Sequence, residues 1–297
     1  EGAISVFFFF FNFQNVPLGI IGVSYSVAAF PTLARYFSGS NMKEFVAYIG
    51  SAARQIIFWS MPVMFIFIVL RAQIVRVILG TGLFSWDDTR LTAAGLALFS
   101  VSIVGQSLIL LFTRGYYAAG NTKRPLMINF ISAGITIILA TVLVKIFQTN
   151  VSLQYFVEAL LRIEDLPNTQ IVMLPLAYSI GSITNILLLW AFFRRDFKIK
   201  ETFLLRAFTH SFAGAFFVGY VAYVSLNIFD RVFDINTFWG ILSQGLCAGV
   251  MGIFAGIIVL KLLKNPELES IWQSLKSKKL FKTEVVSSGV DEVQGGQ

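Results

Sequence analysis

The stretch AISVFFFFFNFQNVPLGIIGVSYSVAAFPTL (3–33) decides the class of fold. It contains no charged residue. At ~1.5 Å of rise per residue, about 20 apolar residues cross roughly 30 Å of hydrocarbon, so a fully helical run of this length, at roughly 45 Å, exceeds a perpendicular crossing. Pro17 lies in its middle, beside Gly19 and Gly22. Proline removes an amide donor and crowds the preceding turn, so a kink or break is expected near Asn15–Pro17. Broken helices are tolerated at membrane depth where they face protein or a wet cavity, and a plain packing kink is the alternative reading.

Six further apolar segments follow, at 50–70, 92–113, 126–147, 171–193, 203–228 and 238–263. Pro62 is expected to kink the second segment as Pro17 does the first. With 56% hydrophobic residues and a mean hydropathy of +0.75, the chain reads as an all-α polytopic membrane protein of about seven transmembrane helices.

Charge gives the expected orientation. If the first segment starts outside, the connections near 34–54, 114–124 and 194–206 and the tail after 260 hold seventeen of the twenty-three Lys and Arg residues. The positive-inside rule then puts the N-terminus outside and the C-terminus in the cytoplasm. Basic inner loops facing anionic lipid account for the +7 net charge, with no nucleic acid partner required. The chain opens on Glu1 with no signal-peptide features, and with an odd number of crossings from an external start it is expected to be the C-terminal piece of a longer protein. Its one cysteine, Cys247, allows no internal disulfide and supports no Cys-based metal site.

The connections carry their own patterns. Residues 71–90 hold an apolar centre too short to span, Ile74 to Leu79, read as a surface or re-entrant helix with a turn at Gly80–Gly82. Asp87 and Asp88 sit where they cap the third segment, which is favoured over a metal site. Leu153, Phe156, Val157, Leu160 and Leu161 recur at helical spacing, predicting a short amphipathic helix on the outer face with Glu158 paired to Arg162. In the tail, Leu268, Ile271, Trp272 and Leu275 form a stripe flanked by Lys276, Lys278, Lys279 and Lys282, suited to the inner leaflet. Beyond Lys282 the composition predicts disorder. Gly245 and Gly249, then Gly252 and Gly256, mark close helix packing within the chain.

No H-E-x-x-H, G-x-S-x-G, P-loop or dinucleotide fingerprint is present, so no catalytic residue, metal site or cofactor is assigned. The lone His210 is read as structural or interfacial. Polar groups inside the apolar segments are the better lead, because an unpaired amide in hydrocarbon costs several kcal/mol. Asn12, Gln14 and Asn15 cluster before Pro17. Gln106 and Ser107 sit in the third segment, Thr136 in the fourth, and Ser179, Ser182, Thr184 and Asn185 in the fifth. The candidates for a substrate cavity are Asn12, Gln14, Asn15, Arg54 and Gln106, with an interfacial snorkelling role as the alternative for Arg54.

Three stretches then carry a family likeness: NVPLGIIGVSYSVAAFPTLARYF (15–37), FSWDDTRLTAAGLALFSVSIVGQ (84–106) and RGYYAAGNTKRPLMINFISAG (114–134). In order and spacing they resemble the MurJ-type (MviN-type) lipid II flippases, over about 15–140. The resemblance implies membership in the multidrug/oligosaccharidyl-lipid/polysaccharide exporter superfamily, with two helical lobes around a central cavity and two appended helices. It implies movement of a polyprenyl-pyrophosphate-linked peptidoglycan precursor, lipid II, from the inner to the outer leaflet of the bacterial plasma membrane by alternating access. On that basis 1–193 is part of the second lobe, 194–263 the appended pair and 264–297 a cytoplasmic tail, and the first lobe is the absent partner. Two departures stand out. The arginine that such flippases place ahead of the Pro-x-Gly falls on Asn12, and the aspartate before it on Phe11. The sodium-binding positions of some members match Thr136, Ala140 and Ser179, and alanine cannot ligate. The alternatives are a flippase for another lipid-linked oligosaccharide and, from a different class, a seven-helix receptor.

Overall fold

In the computed structural model, residues 2–80, 84–199, 203–234 and 237–280 are described, all of them helix, turn or connection. The Gly82 end of the expected turn, Lys200, Lys282 and the tail beyond lie outside these residues, as do the side chains of Leu275, Lys276, Lys278 and Lys279. Among the described residues, six helices are long and apolar enough to cross a membrane, and a bent helix pair brings the number to seven when it is counted as one span.

The first span is α1 (Gly2–Pro17), a π-helical turn (Leu18–Val23) and α2 (Ser24–Ser38). The expected discontinuity is therefore a π-turn starting at the residue after Pro17, which absorbs the missing amide without ending the span. The Ser24 hydroxyl donates to the Gly19 carbonyl five residues back (3.2 Å), satisfying an acceptor inside that turn. Gly22 permits close approach, since a Cβ there would lie 2.9 Å from Ser107 Cα of the neighbouring helix.

The second span, α3 (Met42–Val69), contains Pro62 and runs through it as one helix. Phe58 and Met61 are buried beside the proline, and Phe65 stacks edge-on against Phe212, so packing on both flanks holds the helix through the missing hydrogen bond. After α4 (Arg71–Leu79), the third apolar segment breaks where continuity was expected. It comprises α5 (Trp86–Ser100) and α6 (Ile103–Ala118), bent by 43°. Two serines explain the break. Ser100 and Ser102 turn their hydroxyls onto the Leu96 and Phe99 carbonyls (2.6 and 2.7 Å), competing with the backbone ladder. The capping role of Asp88 is observed as a capping box with Ser85.

The remaining spans are α7 (Lys123–Thr149), α9 (Met173–Asp196), α10 (Phe203–Phe229) and α11 (Phe238–Leu262). The tail begins with α12 (Pro266–Leu280). Helix α8 (Val151–Leu161) is the expected short helix, but Glu158 does not pair with Arg162. Glu158 is buried and accepts from Thr169 (2.5 Å) and Gln154 (3.0 Å), while Arg162 ends the helix in a left-handed conformation. Two arginines tie that end down. Arg71 donates to the Leu161 carbonyl, and Arg90 grips both the Arg162 carbonyl and the Asp165 carboxylate. Burial, with Arg162 adding to it, pushes the Arg71 pKa below its ordinary value.

Helix α4 is more enclosed than a surface helix: Val75 is fully buried in a cluster with Phe10, Phe13, Leu96 and Phe99. The main core gathers residues of α2, α3, α6, α9 and α10, among them Leu33, Phe45, Ile56, Phe112, Phe193 and Ala215. Helices α10 and α11 pack on each other through the expected glycines. A Cβ on Gly252 would lie 2.5 Å from the Val218 carbonyl, and one on Gly256 would strike the Val218 side chain. Gly245 and Gly249 face Gln73 and Leu70 instead, so the two glycine pairs serve two different contacts.

Candidate functional site

The two interrupted spans meet. Gln14, three residues before Pro17, is almost fully buried, and its Oε1 accepts from Gln106 Nε2 at 3.1 Å. Ser102, at the α5–α6 break, lies 3.3 Å from the same oxygen and accepts from Gln106 Nε2 at 2.6 Å. From α9, Tyr178 donates to Gln106 Oε1 at 3.1 Å. One hydrogen-bond network thus joins α1, both halves of the bent span and α9. Aromatic rings shield it: Phe99 packs on Tyr178 (5.1 Å between centroids) and on Phe11 (5.9 Å). Gly95 makes this possible, because a Cβ there would lie 2.6 Å from the Phe10 ring.

Beyond Gln106 and Tyr178 a cavity of about 420 Å³ opens between α6, α7 and α9. Its polar lining adds Asn129, Ser132, Thr136, Ser182 and Asn185, and its apolar lining includes Leu18, Ile109 and Ile137. Asn185 donates to Asn129 Oδ1 at 2.9 Å, whereas Asn185 Oδ1 and Ser132 Oγ are enclosed without a protein partner. Among the described residues, no charged side chain lines this cavity and no group of three His, Cys, Asp or Glu side chains is positioned to hold a metal. Such a lining offers amides and hydroxyls to an uncharged polar group, or oxygens to a monovalent cation. It supplies no cation for a phosphate.

The candidates from the sequence separate accordingly. Gln14 and Gln106 are brought together. Asn12 and Asn15 are exposed on the opposite face of the same span, among Phe8, Val16 and Ile20. Arg54 lies elsewhere, 3.3 Å from Glu267 of α12. Thr136 reaches the cavity wall, where it donates to the Ser132 carbonyl (2.8 Å) and presses against Gly181. Ser179 turns to α5 and donates to the Leu98 carbonyl (2.6 Å), so these two hydroxyls face different neighbours. Four participants were missed from the sequence: Ser102, Asn129, Ser132 and Tyr178. A signal was available, because Asn129, Ser132 and Thr136, and likewise Tyr178, Ser182 and Asn185, repeat on one helical face of otherwise apolar segments.

Membrane-length helices, two of them interrupted and joined by a buried amide network, define a polytopic membrane protein with discontinuous spans, the architecture found in transporters. The family model described as "Lipid II flippase MurJ" matches residues 1–151. The chain belongs to that family. Relatives named "Probable lipid II flippase MurJ" include one from Rickettsia prowazekii (strain Madrid E), 30% identical over 132 residues, 44% of this chain and 26% of the relative. Another, from Rhizobium meliloti (strain 1021), is 27% identical over 143 residues, 48% of this chain and 27% of the relative. A third, from Buchnera aphidicola subsp. Baizongia pistaciae (strain Bp), is 25% identical over 229 residues, 77% of this chain and 40% of the relative. A solved structure, "Lipid II flippase MurJ, inward closed conformation", shares the fold with a TM-score of 0.62 at 22% identity, covering 89% of this chain and 47% of that one. The aligned part of the chain thus spans about a quarter to two-fifths of these relatives' length and about half of the solved structure. Family and spans make this a bacterial membrane protein, and the receptor reading is set aside.

Proposed function

We propose that this chain is the C-terminal part of a flippase that moves lipid II from the inner to the outer leaflet by alternating access. The family match over residues 1–151 carries the proposal, because it covers the π-turn, the broken span and most of the amide network in one stretch. In this reading α1 to α9 belong to the second lobe, α10 and α11 are the appended pair, and a first lobe of the same protein is the partner. The exposed face of α1 and α2, with Asn12, Asn15, Val16, Ile20 and Val27, is the surface offered to that lobe. The N-terminus of the chain lies outside and the C-terminus in the cytoplasm, as the Lys and Arg placement favours.

The chemistry of the walls divides the work. Asn12 donates hydrogen bonds toward the headgroup but adds no charge, so pyrophosphate charge is met by residues outside this chain. The neutral cavity beside Gln106 holds sugar or peptide polar groups, or a monovalent cation touching Thr136. The π-turn and the α5–α6 break are the points where the lobe changes shape, since interrupted helices bend at lower cost than continuous ones. Transport rather than covalent catalysis is the activity.

The test uses the full-length gene in its native cell. On depletion, an impermeant probe is expected to report less lipid II at the outer leaflet and accumulation inside, with rescue on re-expression. Unchanged outer exposure under verified depletion, in a strain without a redundant flippase, overturns the reading.

A further inference from the structure

A second cavity, of about 380 Å³, lies between α3, α10 and α12, apart from the amide network. Arg54, Arg206 and His210 line it with Ser51, Ser270 and, among the described residues, one carboxylate, Glu267. Arg206 and His210 are one turn apart on α10 and share a face. Arg54 reaches in from α3, and α12 carries Glu267 to 3.3 Å from its Nε. The Glu267 side chain is only 9% exposed, whereas Arg206 is exposed at the mouth. Among the described lining residues, one carboxylate faces two guanidiniums.

Two of the helices that wall the pocket also carry exposed apolar side chains: Leu205, Phe208 and Phe212 on α10 and Trp272 on α12. Helices α10 and α11 have membrane length, so this surface meets acyl chains. Guanidiniums bind phosphate oxygens through paired N–H groups, and basic pockets between membrane helices hold anionic headgroups. A free anion has no use for these membrane-facing helix surfaces, but a lipid has.

We propose that the Arg54–Arg206–His210 pocket binds the phosphate of an anionic membrane lipid, and that Glu267 competes with that phosphate for Arg54. Arg206 makes the entry contact and His210 adds an N–H donor. Helix α12 is the pocket's movable wall, released from Arg54 when the phosphate takes the guanidinium. The site stands independently of the transport cavity.

The full-length protein, released from nanodiscs of mixed phosphatidylglycerol and phosphatidylcholine, is weighed by native mass spectrometry with its retained lipids. Wild type is expected to retain phosphatidylglycerol selectively. Losing a charged hydrogen bond in Arg206→Gln lowers that affinity by about tenfold. Glu267→Gln removes the competing carboxylate and raises it by roughly threefold, the sign that a merely structural Glu267 would not give. Arg231→Gln, at the opposite end of α10, matches wild type. Equal retention of the two lipids, or full retention in Arg206→Gln, overturns the proposal. Thermal stabilisation by inorganic phosphate in pure phosphatidylcholine, with none from phosphatidylglycerol, assigns the pocket to a free anion and overturns the lipid source.

Discussion

The α10–α11 pair and the α1–α9 bundle solve the same problem, burying helices in lipid, by opposite means. In the pair, both helices are continuous and their backbones approach at Gly252 and Gly256 against Val218. In the bundle, two spans are interrupted and the interruptions are joined by Gln14, Ser102, Gln106 and Tyr178. Packing by small residues leaves no freedom of approach, whereas a hydrogen-bond network at a helix break has more than one satisfied arrangement. The pair is thus suited to be a fixed element and the bundle's broken spans to move.

The largest expected effect breaks the fixed half. Gly252→Leu forces a side chain into the Val218 carbonyl and Ala222, and overpacking of this kind costs ~1–3 kcal/mol, read as a lowered unfolding temperature in nanodiscs. If stability is unchanged, the pair is not rigidly packed and the contrast fails.

The next effect sharpens the moving half. Gln106→Leu removes the acceptor of the Tyr178 hydroxyl and leaves Gln14 Oε1 with the longer Ser102 contact alone, for a cost of about 1–2 kcal/mol. Combining it with Gln14→Leu recovers part of that loss, and a double-mutant cycle should return a coupling near 0.6 kcal/mol, typical of interhelical hydrogen bonds in membranes. Full additivity would show that the two amides do not act together. Outer-leaflet lipid II labelling is expected to fall further in Gln106→Leu than its stability loss explains.

The smallest effect is on the α8 connection and depends on pH. The Arg90 guanidinium holds the Asp165 carboxyl below its ordinary value. A depressed folded pKa gives stability that is present above the unfolded pKa of about 4 and is lost as pH falls through the folded value. Asp165→Asn should therefore lower the unfolding temperature slightly at pH 7 and not at all well below pH 3. An equal difference at both pH values would remove the ion pair from the account. Asp165 is exposed, so the effect is small.

The span count and the capping role of Asp88 were legible because hydropathy and end chemistry are local, whereas Ser85, the N-cap itself, was not read and Asp87 takes no part in the capping box. The irregularity at Pro17 was legible too, and takes the form of a π-turn. Pro31 and Pro62 show the limit: the same residue type sits inside α2 and α3 without such a turn. The break at Ser100–Ser102 went unread because serines in an apolar run interrupt a helix only when their hydroxyls turn to the backbone. Asn12 and Gln14 are two residues apart, yet the helical turn sends one to the surface and the other into the network.

By itself, then, the amino-acid sequence determined an all-helical polytopic membrane protein, the places of its spans though not every bound (the second begins at Met42, eight residues before the expected 50), and the family likeness of its first half. Apolar length and charge placement suffice for the first two, because the bilayer imposes them residue by residue. Tertiary structure alone decided which polar groups meet. Gln14 and Gln106 are 92 positions apart and Arg54 and Glu267 lie on separate helices, so only the packing angle and rotation of each helix bring them within hydrogen-bond reach.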